Sequence, residues 1–225
     1  EQLCQDLQQE SADYNGDVED LFQAELYLIS PITEAGRFLR KEYFLTSQQR
    51  DIERQILKGI RQKHTGYYWF IGLPGTGKTL LLYDLAMKLS GRQKVCLIHC
   101  GRAGKEWRIL HERLWRIDYL SDEQIHENKD LSEYNGVLID EAHLLSEENL
   151  QMILEACGQQ PVIFSSDCED MISPEEFDRS TVKAMRHLPE MQTYHLTNRI
   201  RTNAELSSFI QHMMHLPKQR YTRNY

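Results

Sequence analysis

Short apolar runs alternate with helical patterns over most of the chain. Five of these runs predict β-strands, at residues 67–71, 94–99, 136–139, 161–165 and 193–196. The runs are short and almost continuously apolar, which is typical of a parallel sheet that helices cover on both faces. The pattern therefore predicts a three-layer α/β fold with a parallel central sheet.

A strong helical pattern begins at Thr46, just before the first strand. Thr46 and Gln49 have the spacing of a capping box, in which each side chain bonds the backbone of the other residue. Apolar residues then recur on one helical stripe, at Ile52, Ile56, Leu57 and Ile60. We expect this helix to pack against the sheet through that stripe.

The first part of the chain predicts a small N-terminal extension. Amphipathic patterns at residues 21–29 and 38–39 indicate short helices, and Pro31 ends the first of them. We therefore expect an acidic helical extension over residues 1–43 and a larger α/β domain over residues 44–225.

Charge is distributed unevenly along the 225 residues. The net charge is −8, but residues 1–36 contain nine acidic residues and no Lys or Arg, so the remainder carries +1. Charge thus neither supports nor excludes a nucleic-acid partner for the main domain. The acidic extension is a candidate docking segment for a protein partner.

Composition argues against several classes of protein. No apolar run approaches the roughly 18 residues of a membrane span, and no secretory signal pattern is found, so we expect a soluble, cytoplasmic protein. The five cysteines are an odd number and lie mostly in apolar segments, which favours reduced, buried thiols. Cys96, His99 and Cys100 suggest a metal site, but strand alternation places the two thiols on one face and the imidazole on the other.

Residues 72–79 read GLPGTGKT and separate the first strand from a helical pattern. Glycines at these positions allow positive φ angles, so backbone N–H groups can surround phosphate oxygens. The lysine is expected to reach the β- and γ-phosphates of a nucleotide, and the final threonine to supply a hydroxyl to Mg²⁺. The predicted phosphate-binding residues are Gly72, Pro74, Gly75, Thr76, Gly77, Lys78 and Thr79.

The third predicted strand ends in two acids, Asp140 and Glu141. A nucleotide bound with magnesium needs one carboxylate to hold the metal's water shell and another to deprotonate the attacking water. We predict that Asp140 takes the first role and Glu141 the second, which favours hydrolysis over phosphoryl transfer. The alternative is an acidic strand end that simply faces solvent.

Further polar residues follow the other strands at the same predicted edge of the sheet. Ser166 and Asp167 follow the fourth strand, while Arg199 and Arg201 follow the fifth. Arg201 directly precedes another capping-box pattern, which would hold it at the mouth of a helix beside the cleft. It is the first candidate for a catalytic arginine and Arg199 is the second; the alternative is an ordinary surface arginine.

These motifs, in this order, resemble the Q motif and motifs I to IV of superfamily 1 helicases. The matching segments are Leu45-Thr46-x-x-Gln49, residues 72–79, Asp140-Glu141, Ser166-Asp167 and residues 196–201. Residues 44–216 are most similar to the Schlafen group 3-like DNA/RNA helicase domain.

The resemblance implies a RecA-like P-loop ATPase domain over residues 44–225 that uses ATP and Mg²⁺ and contacts single-stranded DNA or RNA. It also implies that Gln49 reads adenine, that residues 101–105 touch a nucleic-acid backbone, and that Arg201 acts as the arginine finger. As a capping residue, Gln49 has a local explanation too.

The chain also departs from that helicase group. Asp170 stands where a neutral γ-phosphate sensor is expected, and no second motor domain follows, so we do not expect the chain to unwind a duplex by itself. His143 completes a DEAH string, but the other motifs of the DEAH group are absent. Two alternatives to a helicase-like ATPase are an oligomeric AAA+-type switch and a nucleotide-binding scaffold with little turnover.

Overall fold

The computed structural model describes residues 29–63, 65–91, 93–101, 107–126, 130–167 and 181–197. The strands are β1 (Tyr67–Gly72), β2 (Val95–His99), β3 (Ile117–Ser121), β4 (Val137–Asp140), β5 (Val162–Asp167) and β6 (Gln192–Leu196). The α-helices of this part are α1 (Ala35–Leu39), α2 (Ser47–Lys63), α3 (Lys78–Leu89), α4 (Trp107–Arg113), α5 (Glu147–Cys157) and α6 (Val182–Arg186).

The six strands form one sheet, in the order β3-β2-β4-β5-β1-β6, and every pairing is parallel. This confirms the predicted α/β fold with a parallel central sheet. Strand β5 lies between β1 and β4, as in P-loop proteins with an additional strand. The register pairs Gly72 with Asp167 and His99 with Asp140, so the strands end together at one edge.

Helices cover both faces of the sheet and define its three layers. On one face, Phe70 packs in a cluster with residues of α1 to α4, such as Phe38 and Leu81. On the other face, Trp69 packs with residues of α5 and α6, such as Ile153 and Met185. Each fully buried side chain of this size contributes about 2–3 kcal/mol through burial, so both layers hold the sheet in place.

Strand β3 is an edge strand that the hydrophobic pattern did not predict. Ile117 and Leu120 are buried, whereas the two residues between them are only partly covered, which leaves a short and weak signal. The following segment, residues 121–132, is mostly polar, and this pattern predicts a surface excursion. The prediction is wrong in part, because the described residues Ile125 and Leu131 are buried in the core.

Residues 29–43 pack against the main domain. Ile29, Ala35 and Phe38 are buried in the same cluster as α2 and α3, and the Phe38 ring meets the Tyr83 ring edge-on at 6.0 Å. The predicted helix at residues 21–29 lies almost wholly outside the described residues, as does most of the acidic segment. None of the helices in the described ranges combines the length and the apolarity that crossing a bilayer requires.

Helix α2 begins with the predicted capping box. The backbone N–H of Gln49 donates to Thr46 Oγ1 at 3.2 Å, and the backbone N–H of Thr46 donates to Gln49 Oε1 at 2.8 Å. The two bonds satisfy backbone groups at the start of the helix. They fix Gln49 at the sheet edge where β1 ends.

Candidate nucleotide-binding and catalytic site

The glycine loop connects β1 to α3 with the geometry of an anion cradle. Gly75 and Gly77 have φ angles of 82° and 79°, and Gly77 precedes the first turn of α3 without a side-chain cap. A Cβ on Gly72 would come within 2.6 Å of Thr76 Oγ1 and 2.9 Å of a backbone oxygen. Because no side chain caps the start of α3, the first N–H groups of this helix remain free to bind phosphate oxygens.

Gln49 supports the phosphate loop through hydrogen bonds to the loop backbone. Its Nε2 donates to the backbone oxygens of Thr76 at 3.1 Å and Gly77 at 3.3 Å, and its side chain is fully buried. Since its Oε1 accepts the N–H of Thr46, both ends of the amide are engaged. These contacts account for a glutamine at this position, and its expected contact with adenine stays a prediction.

Lys78 lies inside the loop and is only 6% exposed. Its Nζ donates to the backbone oxygens of Gly72 at 3.1 Å and Leu73 at 3.3 Å, and pairs with Asp167 Oδ1 at 2.5 Å. Thr79 follows it in the first turn of α3 and is half-buried. Asp167, at the end of β5, therefore contacts the lysine that is expected to bind the phosphates.

Asp140 ends β4 and is fully buried between two neighbouring strands. Its Oδ1 accepts a hydrogen bond of 2.5 Å from Ser165 Oγ, and its Oδ2 lies 3.2 Å from His99 Nδ1. Burial lowers the pKa of His99, but the contact with Asp140 and nearby acidic charges outweigh burial and raise it overall. The carboxylate of Asp140 is thus held rigidly from both sides.

Glu141 adopts a left-handed backbone conformation, with φ 55° and ψ 41°. Such a conformation costs a residue with a side chain about 1–2 kcal/mol. It brings Glu141 Oε2 to 3.6 Å from His143 Nδ1. Burial raises the pKa of Glu141 to about 7, with further contributions from Asp140 and Asp167 that Lys78 and His99 only partly oppose.

Glu141, Asp167 and the loop lysine lie close together at one edge of the sheet, which is the part of the strand-end prediction that falls on described residues. Ligand atoms of Glu141, His143 and Asp167 all lie within 4.8 Å of one another, and Asp167 contacts Lys78. His143 also accepts a bond from the backbone N–H of Asp167 at 3.4 Å, so the histidine of the DEAH string belongs to the cleft. The arrangement offers several oxygen ligands and one imidazole nitrogen to a cation.

Sequence reasoning missed the partners of the predicted site residues. His99 was considered only as a zinc ligand, whereas its ring turns to Asp140 while Cys96 and Cys100 lie in a core cluster. Its place at the end of β2 was the one signal that could have found it. Arg199, Arg201, Asp170 and residues 102–105 lie outside the described residues, so the structure places none of them.

These features define the P-loop NTPase class with a RecA-like fold. They are a left-handed glycine loop, a helix that begins at the lysine of this loop, and a buried acidic strand end on a parallel sheet. Residues 68–224 match the model of the family described as Schlafen group 3, DNA/RNA helicase domain. The chain belongs to this family. A search of curated proteins gave no significant match.

Three solved structures illustrate what the chain is similar to. A structure titled for DNA unwinding at forked dsDNA by two coordinating Pif1 helicases is 16% identical, with TM-score 0.50 over 76% of this chain and 48% of that chain. The Pif1 helicase of Candida albicans is 16% identical, with TM-score 0.49 over 76% and 44%. DnaA of Aquifex aeolicus is 15% identical, with TM-score 0.43 over 86% and 59%. The chain spans less than half the length of these Pif1 chains.

Proposed function

We propose that the chain is a Mg²⁺-dependent ATPase domain that works as a helicase-like motor on single-stranded DNA or RNA. The observation that carries the proposal is the strand edge at which Lys78 of the phosphate loop meets the carboxylates of Asp167 and Glu141, next to Asp140. Membership of a DNA/RNA helicase domain family supports the nucleic-acid partner.

The loop and Lys78 bind the phosphates in this proposal. Free N–H groups at the start of α3 and the ammonium of Lys78 supply positive charge to the β- and γ-phosphates. Lys78 first exchanges Asp167 and two backbone oxygens for phosphate oxygens. Gln49 keeps the loop in its left-handed shape while this exchange occurs.

Thr79 and Asp140 would hold Mg²⁺. Carboxylates of Glu141 and Asp167 lie near the ammonium of Lys78, with Asp140 next to Glu141, and oxygen donors of this kind are the ligands that Mg²⁺ prefers. When bound, Mg²⁺ would supply positive charge that stabilises the negative charge developing on the phosphates. Bonds from Ser165 and the contact with His99 orient Asp140 before any metal arrives.

Glu141 is the proposed general base. A carboxyl group with a pKa of about 7 accepts a proton from water efficiently near neutral pH. Its left-handed backbone turns the carboxylate away from the strand direction and into the cleft. Arg201, with Arg199 as the second candidate, is proposed to stabilise charge on the γ-phosphate.

Release of phosphate from ATP, measured with and without single-stranded DNA and RNA, tests this function. We expect hydrolysis that depends on Mg²⁺ and that single-stranded nucleic acid stimulates. This stimulation should weaken as the salt concentration increases.

Two substitutions test the site residues. Lys78→Ala should lose nucleotide binding, whereas Glu141→Gln should bind ATP and lose turnover. Glu155→Gln, an exposed substitution on α5, is the matched control. Hydrolysis by Glu141→Gln at the parent rate would remove the catalytic assignment.

A further inference from the structure

The outer face of α2 carries a row of cations. Arg50, Arg54, Lys58 and Arg61 are all exposed, and their spacing places them within an arc of about 80° on the helix. The row is about 16 Å long at the rise of an α-helix. The opposite face of α2 is buried in the core, so the row points to solvent. We call these four residues the α2 basic row.

A groove of about 560 Å³ runs beside this row, between α2 and α3. Its rim includes Arg50, Arg54 and Arg61 of the row, and Lys41 from the segment before α2. Lys41 is exposed, which adds a fifth cation to the same side of the molecule. The groove therefore widens the row into a positively charged channel.

The polar side chains at the floor of the groove contact one another. Tyr43 Oη donates to Asp84 Oδ1 at 2.5 Å, and Lys88 Nζ contacts both Asp84, at 2.9 Å, and Glu53. Lys88 offsets one of the two carboxylates, so the floor contributes about one negative charge, against four cations on the rim.

The rim cations are largely unpaired. Arg54 contacts exposed Asp51 at 3.3 Å, a weak surface pair. Arg50, Arg61 and Lys41 have no acidic partner among the residues that the structure describes. Most of the positive charge of this surface is therefore available to an external anion.

The α2 basic row begins next to the phosphate loop and extends away from it along α2. Gln49, next to Arg50, bonds the loop, and Gln48 bonds the backbone oxygen of His195 at the end of β6. At the other end of α2, Lys63 pairs with Glu190, just before β6 begins. The α2 basic row thus runs along the flank of the domain, from the sheet edge with the cleft toward the opposite edge.

We propose that the α2 basic row and its groove are a contact surface for the phosphate backbone of a single-stranded nucleic acid, separate from the nucleotide cleft. A line of cations at steps of about 4.5–6 Å suits a polymer of regularly spaced negative charges. A small phosphate would instead need cations that converge on one point. Three of the four residues are arginines, whose guanidinium groups pair with phosphates in bidentate fashion. The inference rests on the proposed nucleic-acid-linked function.

Fluorescence anisotropy of a labelled oligothymidylate, measured over a series of salt concentrations, tests the surface. The variant Arg50→Gln/Arg61→Gln removes two rim charges; Lys94→Gln/Arg113→Gln removes two exposed charges elsewhere and is the matched control. We expect the first variant to lower the salt slope of binding by about 1.4 and to weaken binding about 25-fold at roughly 0.1 M salt. The control should bind like the parent, and basal ATPase activity should be unchanged in both.

The outcomes separate this surface from the proposed ATPase. If Arg50→Gln/Arg61→Gln binds the oligonucleotide with the affinity and the salt slope of the parent, the proposed contact surface is wrong and the proposed ATPase is unaffected. A parent that hydrolyses ATP but binds no oligonucleotide also overturns the surface and leaves the ATPase standing. If the variant loses oligonucleotide binding, the contact surface is supported. If nucleic acid also fails to stimulate the ATPase activity of the parent, the proposed motor function is wrong. Tighter binding of labelled polyglutamate than of oligothymidylate assigns the surface to an acidic protein segment and overturns the proposal.

Discussion

Lys78 Nζ lies 2.5 Å from Asp167 Oδ1, so the lysine of the phosphate loop is paired with an acid at the end of the neighbouring strand β5. The register of β1 and β5 creates this pair, because Gly72 lies opposite Asp167. In the proposed mechanism, a nucleotide phosphate replaces Asp167 as the partner of the lysine. This exchange would couple nucleotide binding to the conformation at the end of β5.

We expect Asp167→Asn to bind ATP more tightly in the absence of Mg²⁺, by about 5-fold, a change of about 1 kcal/mol. The substitution removes a competing negative charge from Lys78 and keeps the size of the side chain. Titration with a fluorescent ATP analogue measures the dissociation constant. Asp167→Glu, which retains the charge, is the control, and weaker binding in Asp167→Asn would contradict the competition.

The pKa of Glu141 predicts a pH profile. A general base works only when ionised, so kcat/KM should rise about tenfold per pH unit below about 7 and level off above it. The profile of kcat/KM reports the free enzyme, to which this pKa belongs. A flat profile between pH 5.5 and 8, measured with MgATP and without excess free Mg²⁺, would argue against Glu141 as the base.

Gln49→Ala distinguishes loop support from adenine recognition. Loss of the loop bonds and of the cap should lower the free energy of unfolding by about 2–3 kcal/mol. If Gln49 only supports the loop, ATP and GTP affinities should fall by the same factor. A selective loss of ATP affinity would instead support the predicted contact with adenine. Gln55→Ala, at an exposed position of α2, is the control for denaturant unfolding and nucleotide titrations.

His99→Asn should change the metal requirement of the ATPase. Removing the imidazole frees one oxygen of Asp140 from its partner, and losses of this kind typically weaken metal binding about 10- to 100-fold. The Mg²⁺ concentration for half-maximal activity should increase accordingly, while ATP affinity without metal stays near the parent value. An unchanged Mg²⁺ titration, with His111→Asn as the surface control, would show that Asp140 needs no support from His99.

Arg201→Ala tests the proposed arginine finger. Turnover should fall by about three powers of ten or more while ATP binding is retained, because an arginine finger acts on charge that develops in the transition state. Single-turnover hydrolysis and nucleotide titration measure the two effects separately. If Arg199→Ala has this effect and Arg201→Ala does not, the finger lies two residues earlier.

The local sequence was sufficient for most of the fold. Strands β1, β2, β4 and β5 each produced a buried apolar run, and the α2 cap followed from the identities of Thr46 and Gln49 alone. Strand β6 was also predicted, although only Leu196 in it is buried. Strand β3 was missed because it is an edge strand in which only Ile117 and Leu120, on opposite faces of the sheet, are buried. Its signal is therefore short and resembles that of a surface segment.

The phosphate loop and the acidic pair could also be read from the sequence, because their function requires particular residue types at consecutive positions. What only the tertiary structure decided are the pairs Lys78–Asp167 and His99–Asp140 and the contact of Gln49 with Thr76. The partners are 27 to 89 residues apart in the chain, and strand order and register bring them together. A one-dimensional pattern encodes periodicity and local conformation, whereas contacts across a sheet depend on which strands become neighbours.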